Sequence, residues 1–82
     1  MFAASTAVVV RNIPPGSSVA ELTELFAEAG EVREVKIVPD PRVGGKERCA
    51  HCEYSSEEVA VRAMAIFHGR LYNGFTLVVV HV

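Results

Sequence analysis

Aromatic residues are scarce in this 82-residue chain, which has no tryptophan and only 7% aromatic residues in all. An excess of basic residues is also missing, because eight lysines and arginines stand against ten aspartates and glutamates. Proteins that bind nucleic acid mainly through its phosphates usually carry a basic face or a high pI. The net charge of −2 therefore argues against strong, generic attraction to nucleic acid.

Long apolar runs and cysteines are few as well. No apolar run approaches the roughly 20 residues of a membrane span, and Phe2-Ala3-Ala4 is too short and uncharged for a secretory signal. We therefore expect no membrane association. Two cysteines without such a signal favour a reducing, intracellular compartment, with nucleus, cytoplasm and an organelle matrix all open.

The hydrophobic pattern predicts the order strand, helix, strand, strand, helix, strand. Ser18 and Glu21 have the form of a capping box at the start of the first helix, and Gly30 stands where a left-handed C-cap would end it. Ser55 or Ser56 caps the second helix. The predicted strands cover residues 7–11, 32–38, 48–54 and 76–82, and the predicted helical stripes lie within 19–29 and 59–67.

This order predicts an α+β, ferredoxin-like βαββαβ sandwich, in which a four-stranded antiparallel sheet carries both helices on one face. We predict that residues 1–6 form an N-terminal arm and that residues 7–82 form a single domain. Asn73-Gly74 predicts a tight turn before the last strand.

Several short motifs follow one another along this framework. Residues 8–13 and Gly30-Glu31-Val32 are similar to a first-strand signature and to a turn into the second strand. Later matches are Ala60, Ala63, His68-Gly69, Gly74 and Leu77. In their joint order and spacing, these residues resemble the RNA-recognition-motif family over nearly the whole chain. The resemblance implies a module of RNA processing or mRNA metabolism that binds single-stranded RNA.

The signature strands lack most of the aromatic residues that the family uses to stack on RNA bases. The third-strand signature, residues 47–54, has Cys49 and His51 at the two aromatic positions, and the first-strand position is Val9. Base stacking contributes roughly 1–3 kcal/mol per base. With His51 as the one remaining π-face, the pattern predicts weak, atypical RNA binding.

Strand alternation predicts which side chains lie on the open face of the sheet. The face is rich in valine, and apolar patches also mark protein contacts or homodimers, so a protein partner is an alternative there. Basic residues of the loop between the second and third strands add to the predicted RNA site. The predicted RNA-binding residues are Val9, Arg11, Lys36, Arg42, Lys46, Arg48, Cys49, His51, Val78 and Val80.

A second interpretation comes from a branch of the family that binds short peptides instead of RNA. That branch has an acidic first helix and an Arg-x-Phe element after the second helix, to which Arg70-Leu71-Tyr72 is similar. The resemblance implies a peptide groove, although Tyr72 is also expected simply to pack its loop. The residues of this alternative site are Glu21, Glu24, Glu28, Arg70 and Tyr72.

Cys49-Ala50-His51-Cys52 has a spacing found in zinc and redox sites. On a strand, however, Cys49 and Cys52 point to opposite faces, and the chain has no second Cys/His pair to complete four ligands. We also find no nucleophile with a neighbouring base and no phosphate-binding glycine loop. We therefore expect no metal, no cofactor and no catalysis, and we place RNA binding ahead of protein binding.

Overall fold

Two helices and six strands lie within residues 5–39 and 48–82, which are the residues that the computed structural model describes. They are β1 (Ala7–Arg11), α1 (Val19–Phe26), β2 (Val32–Pro39), β3 (Arg48–Tyr54), α2 (Glu57–Phe67), β4 (Leu71–Tyr72), β5 (Phe75–Thr76) and β6 (Val78–His81). Four strands form an antiparallel sheet in the order β2-β3-β1-β6, and β4 pairs with β5 in a small hairpin. The predicted ferredoxin-like architecture is confirmed.

The core lies between one face of the sheet and the two helices. In β1 the buried residues are Val8 and Val10, and in β3 they are Ala50, Cys52 and Tyr54, as strand alternation predicts. These side chains pack with the buried stripes of both helices. Because every second residue of the sheet is used in this way, the remaining residues form the opposite, outer face.

The end of α1 is fixed to the sheet by one aromatic side chain. The hydroxyl of Tyr54, on β3, donates a hydrogen bond to the carbonyl oxygen of Phe26 at 2.9 Å, in a buried position. The Phe26 ring also meets the Phe67 ring of α2 edge to face, with centroids 5.7 Å apart. Phe26 therefore joins both helices and the sheet.

The capping box of α1 is confirmed, but the helix ends earlier than predicted. The backbone N–H of Glu21 donates to Ser18 Oγ, and the Ser18 N–H donates back to the Glu21 carboxylate. After Phe26, residues 28, 29 and 30 donate to carbonyls three residues earlier, so the chain tightens out of the α-helix. Such tightening is common in last turns.

Gly30 is not the left-handed cap that the sequence suggested. Its φ of +154° lies far from the left-handed helical region. A Cβ at this position would lie only 2.6 Å from Cγ1 of Val59, on α2. Glycine is therefore required here by the close approach of α2 to the turn after α1.

The chain after α2 is more elaborate than a turn followed by a strand. Asn73 and Gly74 have φ values of +49° and +86° and form the predicted tight turn, but this turn joins β4 to β5. Leu77 then enters the core, and β6 begins one residue later, instead of at residue 76. Within the described ranges, neither helix is long and apolar enough to cross a lipid bilayer.

Candidate nucleic-acid interface

The outer face of the sheet, opposite the helices, consists of three rows of side chains that run across the strands. The middle row crosses all four strands through successive register partners. Its members are Lys36 on β2, His51 on β3, Val9 on β1 and Val80 on β6. His51 is exposed and Val9 is half-buried, and Val80 is 39% exposed. The structure therefore brings four of the predicted RNA-binding residues into one line.

A second row, here called the arginine row, lies beside the middle row. It contains the register pairs Val38–Cys49 and Arg11–Val78. Arg11 is half-exposed and Val78 is 38% exposed. Arg11 thus supplies a cation next to the apolar part of the face.

The sequence predicted that Cys49 is exposed on the outer face, but its side chain does not form part of the accessible surface. The residue is only 4% exposed, although it lies outside the core cluster between sheet and helices. Cys49 has a short side chain on an interior strand and lies directly opposite Val38, so neighbouring groups cover it. It is therefore removed from the set of surface contacts.

The third row, here called the carboxylate row, contains Glu34, Glu53 and Ala7, which are also register partners. Directly opposed side chains on neighbouring strands lie about 5 Å apart at Cβ, so two like charges here repel each other. Lys36 offsets this repulsion, because its Nζ lies 3.7 Å from Oε1 of Glu34. Thr6 also donates a long hydrogen bond of 3.5 Å to Oε2 of Glu53.

A shallow depression of about 160 Å³ opens between the middle row and the carboxylate row. Its lining includes one cation, one imidazole and two carboxylates. The lining residues are Ala7, Glu34, Lys36, His51, Cys52 and Glu53. Sequence reasoning missed Glu34. Alternation counted back from Lys36 would have placed it on this face, but the β2–β3 register has a bulge after Val32, so alternation counted forward from Val32 gives the wrong side.

Three basic residues of the predicted RNA site come from the segment between β2 and β3 and from the first residue of β3. Arg42 and Lys46 lie outside the described residues, and so does the side chain of Arg48. The backbone of Arg48 begins β3 and pairs with Pro39. The roles of these three residues stay predictions.

The alternative peptide site is engaged by contacts within the domain. Arg70 Nη1 lies 3.0 Å from Oε1 of Glu28, and the guanidinium carbon lies 5.6 Å from the centre of the Phe67 ring. Tyr72 is half-buried and packs against the core, which agrees with its expected packing role. Glu21 is used in the helix cap, while Glu24 is exposed. The structure thus brings Glu28 and Arg70 together but gives Arg70 a partner in its own domain.

The Cys-x-x-Cys spacing brings no two thiols together. Cys52 is fully buried in the core, whereas Cys49 belongs to the outer-face row. Burial raises the pKa of Cys52 to about 11, and burial likewise raises the pKa of Tyr54. Both groups are neutral at physiological pH. Among residues 5–39 and 48–82, no three His, Cys, Asp or Glu side chains are arranged to hold a metal ion.

Two histidines have structural partners that the sequence did not reveal. His68 Nδ1 accepts a hydrogen bond of 3.0 Å from the backbone N–H of Val79, on the edge strand β6. His81 Nε2 lies 2.8 Å from the carbonyl oxygen of Ser5 and donates to it, since a carbonyl only accepts. These contacts tie α2 and the residues before β1 to β6.

A family model described as RNA recognition motif matches residues 8–78. The chain belongs to the RNA-recognition-motif family. Human cleavage stimulation factor subunit 2 tau variant is 34% identical over 70 residues, which cover 85% of this chain and 11% of that protein. The chain thus matches only about a tenth of the length of that relative.

Solved structures share the fold of this RNA-recognition-motif domain. The third RNA-recognition-motif domain of Mip6 superposes with a TM-score of 0.85 at 19% identity, covering 94% of this chain and 93% of that one. The RNA-recognition motif of Rna15 with bound RNA (GU) superposes with a TM-score of 0.80 at 21% identity, covering 95% and 83%. At these identities, the likeness establishes the fold alone.

Proposed function

We propose that this domain binds single-stranded RNA across the outer face of its sheet, as a binding module within an RNA-processing protein. The observation that carries the proposal is the middle row, in which exposed His51 continues directly into Val9 and Val80. When one base stacks on the imidazole of His51, the next base of the RNA can lie on the apolar side chains of Val9 and Val80. Arg11 beside this row and Lys36 at its β2 end provide charge for the backbone phosphates.

The same residues set the strength of the binding. His51 provides one stacking contact, worth roughly 1–3 kcal/mol, where typical family members use two or three aromatic rings. Lys36 already interacts with Glu34, and the two carboxylates of the carboxylate row oppose phosphates. We therefore propose moderate to low affinity for this domain alone, with neighbouring segments of a longer protein adding contacts.

The relatives support RNA over a protein as the first ligand. One solved structure with the same fold contains bound RNA, and the curated relative is named as a cleavage stimulation factor subunit. These names fit a binding module rather than an enzyme. The domain works inside the cell, in the nucleus or the cytoplasm. Both points are part of the proposal.

A second candidate function is protein binding through the valine-rich part of the outer face. Val78 and Val80 are 38% and 39% exposed on the edge strand β6, and large exposed valines on one face favour an apolar partner or a second copy of the chain. The alternative peptide site at Arg70 is less suited to a ligand, because the Arg70 guanidinium already pairs with the Glu28 carboxylate.

An NMR titration of the isotope-labelled domain with pools of short single-stranded RNA tests the proposal. The backbone signals of Val9, His51 and Val80 are expected to shift, while Val61, exposed on α2, serves as an internal control and stays unmoved. The affinity should fall with salt, with a slope of about −0.7 for each phosphate contacted. If saturating RNA leaves the middle row unmoved, RNA binding through this face is wrong.

A further inference from the structure

The depression on the outer face is lined both by His51, the proposed stacking residue, and by Glu53. Glu53 follows His51 by two residues on β3, so both side chains leave the same face of the sheet. Residues two apart on a strand lie about 7 Å from each other, which leaves room for half the width of a stacked base and one hydrogen bond at its edge. Glu53 is therefore placed to contact the edge and not the ring.

The charges around the depression favour a base and oppose a phosphate. Glu34 and Glu53 lie opposite each other across β2 and β3, so an anionic phosphate is repelled from this end of the face. Arg11 lies in the arginine row, on the far side of the middle row. The outer face thus offers a cation for RNA phosphates in the arginine row and hydrogen-bond acceptors for a base in the carboxylate row.

The two carboxylates differ in how much acceptor capacity they offer. Glu34 is paired with the ammonium group of Lys36 on its own strand. Among the residues that the structure describes, Glu53 receives one long hydrogen bond of 3.5 Å from Thr6, at Oε2. An ionised carboxylate has about four lone-pair sites, so this contact leaves Glu53 with capacity for a ligand.

We propose that Glu53 makes the RNA site selective for guanine at the position that stacks on His51. Guanine presents two neighbouring donors, N1–H and the N2 amino group, which match the two oxygens of one carboxylate. Uracil places a carbonyl oxygen on each side of its single N–H, and these oxygens are repelled by the carboxylate. Adenine and cytosine present an amino group beside a ring acceptor, so they fit less well than guanine. The proposal rests on RNA binding through the outer face.

Binding of short RNA oligonucleotides to the domain, measured by fluorescence anisotropy, tests this selectivity. The probes are an oligouridine and the same oligouridine with one central guanine, adenine or cytosine. For the unmodified domain we expect the guanine probe to bind roughly tenfold more tightly than oligouridine, as one good two-point base contact provides. In Glu53→Gln this ratio should fall to about one, because the amide keeps the size of the side chain but offers only one acceptor oxygen.

The ratio between probes, and not the absolute affinity, is the deciding quantity. Losing a negative charge changes the affinity for all probes alike, so Glu57→Gln, at an exposed position of α2 on the opposite side of the sheet, controls for the change in net charge and should keep the guanine preference. Equal binding of guanine and uridine probes to the unmodified domain would overturn the selectivity, and so would a preference that survives Glu53→Gln. If no probe binds, the proposed RNA function itself fails, which is a distinguishable result.

Discussion

Oε1 of Glu28 and Nη1 of Arg70 lie 3.0 Å apart and join the turn after α1 to the segment after α2, 42 positions along the chain. Both side chains are partly open to water, with exposed fractions of 50% and 38%. Such ion pairs contribute at most about 1 kcal/mol to stability. The pair therefore matters mainly because it occupies the guanidinium that a peptide ligand would need.

Arg70→Ala is expected to lower the free energy of unfolding by about 1 kcal/mol, since it removes the Glu28 pair and the contact with the Phe67 ring. Urea denaturation measures this change. Arg33→Ala, on the exposed edge strand β2, is the matched control and should change stability by less. RNA affinity should stay the same in both variants. A large loss of RNA binding in Arg70→Ala would contradict the assignment of the site to the opposite face.

Tyr54→Phe is expected to destabilise the domain by about 1–2 kcal/mol. The substitution removes the buried hydroxyl that donates to the Phe26 carbonyl, and that carbonyl then keeps only the hydrogen bond from the Ala29 N–H. Thermal or urea unfolding measures the loss, with Tyr72→Phe as the matched control at a half-buried hairpin position. Equal stability of the two variants would show that the buried hydrogen bond has no net effect.

The stability of the domain is expected to fall as the pH rises above 9. Burial raises the pKa of Cys52 from 9.0 to about 11, so between these values the unfolded chain loses a proton that the folded chain retains. Deprotonation therefore favours the unfolded state in this window, whereas below pH 9 the thiol is protonated in both states and has no effect. Burial of Tyr54 acts in the same direction above pH 10.

Urea denaturation at pH 8, 9 and 10 in the presence of a reductant measures this dependence. In Cys52→Ala the decline between pH 8 and 10 should be shallower than in the unmodified domain, even though the smaller side chain lowers stability at every pH. An unchanged slope in Cys52→Ala would assign the decline to other groups. The slope is therefore a better measure than the stability itself.

Alternation along the strands predicted the fold and most of the outer face, because burial on one face imposes a period of two on β1 and β3. Val8, Val10 and Tyr54 face the core for this reason. Alternation gives only the side of the sheet, however, and cannot say what covers a side chain there, so Cys49 was wrongly expected to be accessible. Loop residues Arg42 and Lys46 lie outside the described part of the chain and stay predictions.

Contacts between distant segments were beyond sequence reasoning for a different reason. The Glu28–Arg70 pair and the hydrogen bond from Val79 to His68 depend on how the elements pack, which no local pattern specifies. The role of Gly30 is similar, because Val59 of α2 leaves no room for a Cβ at this position. A capping box, by contrast, is formed within four residues and was predicted correctly at Ser18.

His51 is expected to carry the largest single contribution to RNA binding. Its side chain is exposed and is the π-face of the middle row, so His51→Ala should weaken binding by roughly tenfold, as the loss of one stacking contact predicts. His51→Phe should restore or exceed the original affinity, because a larger ring stacks at least as well.

Val61→Ala, an exposed substitution on α2, is the control for unspecific effects and should bind normally. Unfolding measurements should give nearly equal stability for the His51 variants, since the side chain lies outside the core. If His51→Ala binds RNA as tightly as the unmodified domain, the stacking position lies elsewhere, and the guanine selectivity proposed for Glu53 loses its geometric basis.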